Sequence, residues 1–190
     1  MISYIADTRK PIFTKEQCED IIRVGQQLQM KEGTVTQKES ITNKRLSKIS
    51  WLPFESMTPM YEVLQSVVNQ VNKSVFGFDE VKGIEQAQYT EYDEGGYYDW
   101  HLDMNVRNIP ERFKGQIRKI SMTCLLNDPE TDFTGGELEM LDERKEESTI
   151  ATLGQGSAIF FASFLRHRVK PVIKGNRKSL VMWFHGEPFK

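Results

Sequence analysis

Cysteine is scarce in this 190-residue chain: only Cys18 and Cys124 occur, far apart and in no CxxC pattern. Two isolated thiols exclude a disulfide framework, argue against a thiolate zinc site and fit a reducing compartment. Each sits among apolar neighbours, where an unpaired cysteine behaves as a small core residue. Long apolar runs are missing too. No window approaches the ~18 residues that would cross a bilayer. Residues 1–7 show neither the charged start nor the apolar stretch of a secretory leader. The expectation is a cytoplasmic protein without a membrane partner. Charge of one sign is also lacking: 25 Lys and Arg stand against 27 Asp and Glu, a formal net charge of −2. No global basic field advertises nucleic acid. Histidine is rare, with three in all, His101, His167 and His185.

What remains is an ordinary globular composition, 38% hydrophobic and 11% aromatic, at a length that suits one compact core. No internal repeat or low-complexity linker divides the chain. It is read as a single domain over 1–190, with a helical part (1–82) and a β-rich part (83–190). Thr14 and Gln17 form a capping-box pattern, each side chain able to satisfy the other's free backbone N–H. The helix they start carries Cys18, Ile21, Ile22 and Leu28, with Gly33 just past its expected end. A second helix begins at Thr58-Pro59, and Met60, Leu64, Val67, Val68 and Val71 fall on one face. Between the helices, 34–50 is polar and basic, with Lys38, Lys44, Arg45 and Lys48. Beyond Gly83, eight short β-rich runs are predicted: 84–92, 97–103, 117–126, 136–141, 148–153, 157–162, 166–173 and 178–186. The fold class is therefore mainly β with N-terminal helices (α+β), a jelly-roll or barrel of two facing sheets with the helices packed on one sheet. The connection 104–116 is long enough to suggest a functional loop.

His101 and Asp103 lie at the end of one predicted strand. Side chains at i and i+2 share a face, so imidazole and carboxylate converge while Leu102 turns away. Two histidines and one carboxylate on one side of an iron leave coordination positions open for oxygen chemistry. The third ligand must come from elsewhere, and His167 sits in another strand. Ten residues on, Arg177 offers a planar fork suited to a carboxylate, which a lysine would not. His185 reads as a satisfied or exposed histidine, 142–147 as a solvated hairpin tip, and Gly135-Gly136 as a tight turn.

Several motifs occur in order over 85–186. Gln88-Tyr89 and Tyr92 lead into the run from Gly95 to Asp103; then come Arg118 to Ser121, Thr134 to Leu138, Gly156 to Phe161, His167 to Val172, and Gly175 to Trp183. Together they resemble the prolyl-4-hydroxylase-like branch of the 2-oxoglutarate/Fe(II) dioxygenases, phage and bacterial hydroxylases included. The resemblance implies a double-stranded β-helix with Fe(II) held by His101, Asp103 and His167, which also carry the catalysis. It implies Arg177 on the 5-carboxylate of 2-oxoglutarate, with Tyr92, Ser179 and Trp183 as further co-substrate contacts. Tyr98, Leu138 and Val169 match walls of the substrate pocket. Leu125 stands where some relatives carry a tyrosine hydroxyl, leaving Ser121, Thr123 or Ser179 to supply one. The implied reaction consumes O2, releases succinate and CO2 and hydroxylates an unactivated C–H bond, with ascorbate as a candidate reductant. The implied partner is a prolyl residue of a peptide or protein, a free amino acid or other small molecule being the alternative. Segments 34–50 and 104–116, with Arg107, Arg112 and Lys114, are placed as a lid or substrate groove. Competing readings are a nucleic-acid oxygenase of the same superfamily, a non-catalytic metal-binding barrel, and a zinc hydrolase. The last leaves Arg177 without a role.

Overall fold

The computed structural model describes residues 4–33, 44–104, 106, 109–142 and 147–189. The strands are β1 (Ile5–Asp7), β2 (Lys31–Glu32), β3 (Arg45–Leu46), β4 (Lys48–Trp51), β5 (Gln88–Tyr92), β6 (Tyr97–His101) and β7 (Ile117–Leu125). They continue with β8 (Phe133–Gly135), β9 (Leu138–Asp142), β10 (Glu147–Ala151), β11 (Ala158–Ala162), β12 (His167–Val169), β13 (Val172–Gly175) and β14 (Arg177–Gly186). The major sheet has the order β1-β11-β7-β14-β5-β4-β2, the minor sheet β10-β9-β12-β6-β3, and β13 pairs with β8.

Helix α1 (Lys15–Gln27) starts as its sequence requires. The Gln17 N–H donates to Thr14 Oγ1 at 3.3 Å, and the Thr14 N–H donates to Gln17 Oε1 at 2.8 Å. It ends at Leu28, before Gly33, whose N–H instead donates to the Ser47 carbonyl. Helix α2 (Thr58–Val71) has Pro59 in its first turn and buries Met60, Leu64 and Val68. Both helices pack on one face of the major sheet, in a core with Tyr89, Ile120, Met122, Cys124, Phe160, Leu180, Met182 and Phe184. Cys18 and Cys124 lie free and fully buried in it. A second apolar cluster fills the space between the sheets, with Tyr92, Leu125, Phe133, Leu138, Met140, Ile159, Phe161, Val169 and Val172. Successive side chains on a strand alternate between these two compartments.

Three expectations need correction. The basic stretch 34–50, which holds no predicted strand, contributes two. Residues 45–46 add a strand to the minor sheet beside β6, and 48–51 add one to the major sheet beside β5. Lys38 lies outside the described residues. The predicted strand 166–173 is two strands, β12 in the minor sheet and β13 beside β8, divided at Lys170-Pro171, where Pro171 has no N–H to give a ladder. The short strands β1 and β8 are further additions, too brief for a period-two signal. In the connection 104–116, Glu111–Phe113 forms a 3₁₀ turn and Phe113 is buried; Arg107 lies outside the described residues.

Candidate metal and co-substrate site

The minor sheet brings His101 and His167 side by side as direct cross-strand partners on β6 and β12. A bulge sits in this ladder: His167 opposes His101, while Val169 opposes Tyr98, so three steps on β6 match two on β12. The extra residue lets Tyr98 and His101 face the same interior despite their spacing. Asp103 lies two residues beyond β6. Its N–H donates to the Ser163 carbonyl at 3.1 Å and that of Met104 to the same oxygen at 2.9 Å, which fixes the turn of the chain. Leu102 points outward, 49% exposed.

Both imidazoles have their Nδ1 against a backbone carbonyl, His101 on Asp99 at 2.7 Å and His167 on Leu165 at 2.9 Å. A carbonyl accepts only, so Nδ1 carries the proton and the Nε2 lone pair is free for a metal. The Nε2 atoms lie 3.7 and 3.4 Å from the two oxygens of Asp103. The candidate ligand atoms of His101, Asp103 and His167 lie within 4.8 Å of one another, the only such His, Cys, Asp or Glu group among the described residues. Burial, reinforced by neighbouring His167, pushes His101 down to about 4, which keeps it neutral. Burial alone would raise Asp103, but His167, His101 and Arg118 together hold it at about 2. Ser121 Oγ lies 2.9 Å from Ser163 Oγ, and its hydroxyl helps to lower the Asp103 carboxyl.

At the other end of the inter-sheet space, Arg177 opens β14 and is 3% exposed. Its Nη1 donates to Ser179 Oγ at 3.0 Å, and its guanidinium lies 5.6 Å from the Tyr92 ring centre. No carboxylate of the described residues pairs with it, and burial lowers its basicity. A buried cation without a counter-ion is costly unless a ligand supplies one. Gly135 and Gly136 both have positive φ, and a Cβ on Gly136 would meet Arg177 Cδ at 2.8 Å. The turn therefore also leaves room for the arginine. Tyr92, Leu138 and Val169 wall this region. The donor set at one end and the uncompensated guanidinium at the other fit a divalent metal and a dicarboxylate.

Trp183, on the same strand as Arg177, lies opposite Ser121 on the neighbouring strand. The Arg118 guanidinium stacks 3.8 Å over its ring, and Trp51 approaches its other surroundings at 6.0 Å. Arg118 is clasped by Glu85 through bonds of 2.6 and 2.7 Å, and His185 Nε2 lies 2.5 Å from Glu85 Oε1. His185 is thus a satisfied histidine at that nitrogen, but its buried Nδ1 and the buried Trp183 Nε1 have no partner among the described residues. No local pattern links Glu85 to Arg118, which lie 33 residues apart. The only hint was His185 two positions after Trp183, which places both on one face.

Residues 87–185 match the 2OG-Fe(II) oxygenase superfamily. A PKHD-type hydroxylase of Idiomarina loihiensis is 36% identical over 102 residues, covering 54% of this chain and 43% of the relative. One from Janthinobacterium sp. (strain Marseille) is 35% identical over 95 residues, covering 50% and 41%. The matched region thus spans about two fifths of these relatives' length. Among solved structures, a Pseudomonas putida prolyl-4-hydroxylase superposes with a TM-score of 0.72 at 18% identity, covering 97% of this chain and 94% of that one. A viral collagen prolyl hydroxylase from Paramecium Bursaria Chlorella virus-1, in complex with 2OG, gives 0.69 at 19% identity, with 97% of each chain covered. These similarities carry the jelly-roll fold, and the chain belongs to the 2OG-Fe(II) oxygenase superfamily.

Proposed function

We propose that this protein is an Fe(II)- and 2-oxoglutarate-dependent hydroxylase acting on a prolyl residue of a peptide or protein. His101, Asp103 and His167 are assigned to iron, and Arg177, assisted by Ser179, to the distal carboxylate of 2-oxoglutarate. The carrying observation is the pairing of a buried two-histidine, one-carboxylate set with a buried arginine that has no carboxylate partner among the described residues. When bound, iron and 2-oxoglutarate supply the O2-dependent oxidation that ends in hydroxylated product, succinate and CO2.

The chain's own groups set the conditions for it. Backbone carbonyls of Asp99 and Leu165 keep the two imidazoles in the tautomer that presents Nε2. Ser121 steadies the carboxylate of Asp103. Arg177 with Tyr92 orients the co-substrate along the inter-sheet space, and Leu138 and Val169 exclude water from it. Trp183, Arg118, Trp51 and Tyr98 form an aromatic and cationic wall on the acceptor side. Such a wall suits the polarised C–H groups of a prolyl ring packed on aromatic faces, and the Trp183 N–H offers a donor to a peptide carbonyl. A solved prolyl hydroxylase holding a peptide fragment covers 95% of this chain at a TM-score of 0.70, which supports a peptide partner. Ascorbate is assigned only as a reductant that keeps the iron ferrous. The reaction's location is placed in the cytoplasm; no helix of the described residues is long and apolar enough to cross a membrane.

The test is incubation with Fe(II), 2-oxoglutarate and a panel of proline-containing peptides, read by mass spectrometry. A gain of one oxygen on a prolyl residue, matched by succinate, is expected. Succinate formation with no peptide modified would move the assignment to a small molecule or a nucleic acid. Succinate absent under all conditions would leave a non-catalytic metal-binding barrel.

A further inference from the structure

We infer that Arg45 is a positioning residue for His101, acting through the ring of Tyr98. The inference rests on the assignment of His101 to the metal. Three groups stand in series on the inner face of the minor sheet. The Tyr98 ring stacks on the His101 imidazole with centres 3.5 Å apart and planes 12° from parallel. The Arg45 guanidinium carbon lies 4.6 Å from the Tyr98 ring centre. Arg45 and Tyr98 are direct cross-strand partners, and β3 flanks β6 on the side away from β12. His101 therefore has His167 on one side and the tyrosine ring, backed from β3 by the arginine, on the other.

An imidazole aims its Nε2 lone pair only if both its position and its ring plane are held. The contact of Nδ1 with the Asp99 carbonyl fixes one edge of the ring. A single hydrogen bond still allows rotation about its axis, and the flat contact with Tyr98 removes that freedom. Tyr98 needs backing in turn, because β3 is a two-residue strand at the end of the sheet and gives little ladder support.

The guanidinium is itself held in place from several directions. Its Nε donates to Ser47 Oγ at 2.7 Å, and its Nη2 donates to Gln88 Oε1 at 2.9 Å, across on the major sheet. Gln88 Oε1 also accepts from the Thr90 hydroxyl at 3.2 Å. The backbone at Gly33 comes so close that a Cβ there would fall 2.6 Å from Arg45 Nε and 2.4 Å from Ser47 Oγ. Only glycine permits that approach. The two acceptors are neutral oxygens, and no carboxylate of the described residues pairs with Arg45. Its charge is left to the π face of Tyr98, an interaction that favours a planar, weakly hydrated guanidinium over an ammonium. Arg45 thus joins the two sheets beside the site and presses one flat group onto another.

The experiment measures Mn(II) affinity of the metal-free full chain by the electron paramagnetic resonance signal of free Mn(II). The variants are Arg45→Met, Arg45→Lys, Tyr98→Leu, the double Arg45→Met/Tyr98→Leu, and His101→Ala, with melting of the metal-free proteins alongside. Loss of about tenfold in affinity is expected for both Arg45 variants, the scale of a ligand-orienting partner. Tyr98→Leu should lose at least as much, and the double variant should bind no more weakly than Tyr98→Leu alone. Arg45→Lys keeps the charge and most of the stem, so it reports on the planar contact even if Arg45→Met folds poorly. Wild-type affinity in Arg45→Lys and Arg45→Met, or losses that multiply in the double variant, would overturn the inference. If His101→Ala loses the metal while the Arg45 variants keep it, only the positioning role fails. If His101→Ala binds like wild type, the metal assignment fails with it.

Discussion

The two faces of the major sheet are built from the same strands and do opposite things. On β7, Ile120, Met122 and Cys124 face the helices, while Ser121 and Leu125 face the minor sheet. On β14, Leu180, Met182 and Phe184 join the helix-side core, whereas Arg177 and Ser179 bond each other on the inner side. The helix side is mainly apolar, crossed by the Ser50 hydroxyl on the Gly25 carbonyl and the Gln26 amide on Glu91, so its stability comes chiefly from burial and packing. The inner side holds the Arg177 guanidinium, with which no carboxylate of the described residues pairs, and the buried Trp183 Nε1 and His185 Nδ1, without partners among the described residues, across from the His101 and His167 imidazoles of the minor sheet. Those polar groups cost folding energy unless ligands complete them. One face stabilises the barrel, and the other is left for binding.

Substitutions should separate the two faces. Asp103→Ala is expected to lose at least about 100-fold in Fe(II) or Mn(II) affinity, with no detectable succinate, because a ligand is removed where even its supports matter tenfold or more. Its metal-free melting temperature should fall only modestly, by the stability that His167, His101 and Arg118 give a carboxyl held at about 2. Leu64→Ala, in the helix-side core, should do the reverse. Denaturant unfolding should show a loss of about 2–5 kcal/mol, while the folded fraction keeps its metal and co-substrate affinities. Arg177→Lys should weaken 2-oxoglutarate binding about 10- to 100-fold, the scale of a charge-assisted hydrogen bond, with Mn(II) affinity unchanged. Equal weakening of both ligands would show that Arg177 only supports the fold.

A smaller effect comes from Glu85. Burial alone would raise its carboxyl, but Arg118 and His185 bring it to about 2 in the folded chain. A carboxyl held below its unfolded value stabilises the fold above about pH 4.5, and that contribution fades as pH falls toward 2. Glu85→Gln should therefore flatten the acid limb of the stability–pH profile, by on the order of 2–3 kcal/mol at neutral pH. An unchanged acid limb would place the cluster's charge in solvent. Smallest is Thr14→Ala, which loses the capping hydroxyl of α1 and should cost about 1 kcal/mol without touching either ligand.

The parts legible in the sequence were those with a local cause. The start of α1 is written in Thr14 and Gln17, because the cap closes within four residues. The grouping of His101, Asp103 and His167 was legible because only three histidines exist and Asp103 follows His101 by two residues. Strands β3 and β4 were hidden because they are only two and four residues long and lie in a stretch rich in Lys and Arg. The apolar alternation of Ile49 and Trp51 is too short to mark a strand. The bulge in β6 leaves no mark in the sequence, yet it brings Tyr98 onto the face of His101. The Glu85, Arg118 and His185 cluster spans 100 residues and exists only once β7 and β14 pair.

The most direct test is an anaerobic titration of the metal-free protein with Fe(II) and 2-oxoglutarate, following the visible charge-transfer band of the chelate. Wild type should form the band at one equivalent of each. Asp103→Ala should form none, and Arg177→Lys should reach the same intensity only at higher 2-oxoglutarate. A band of wild-type strength in Asp103→Ala, or one indifferent to Arg177, would contradict the assignment of the inner face.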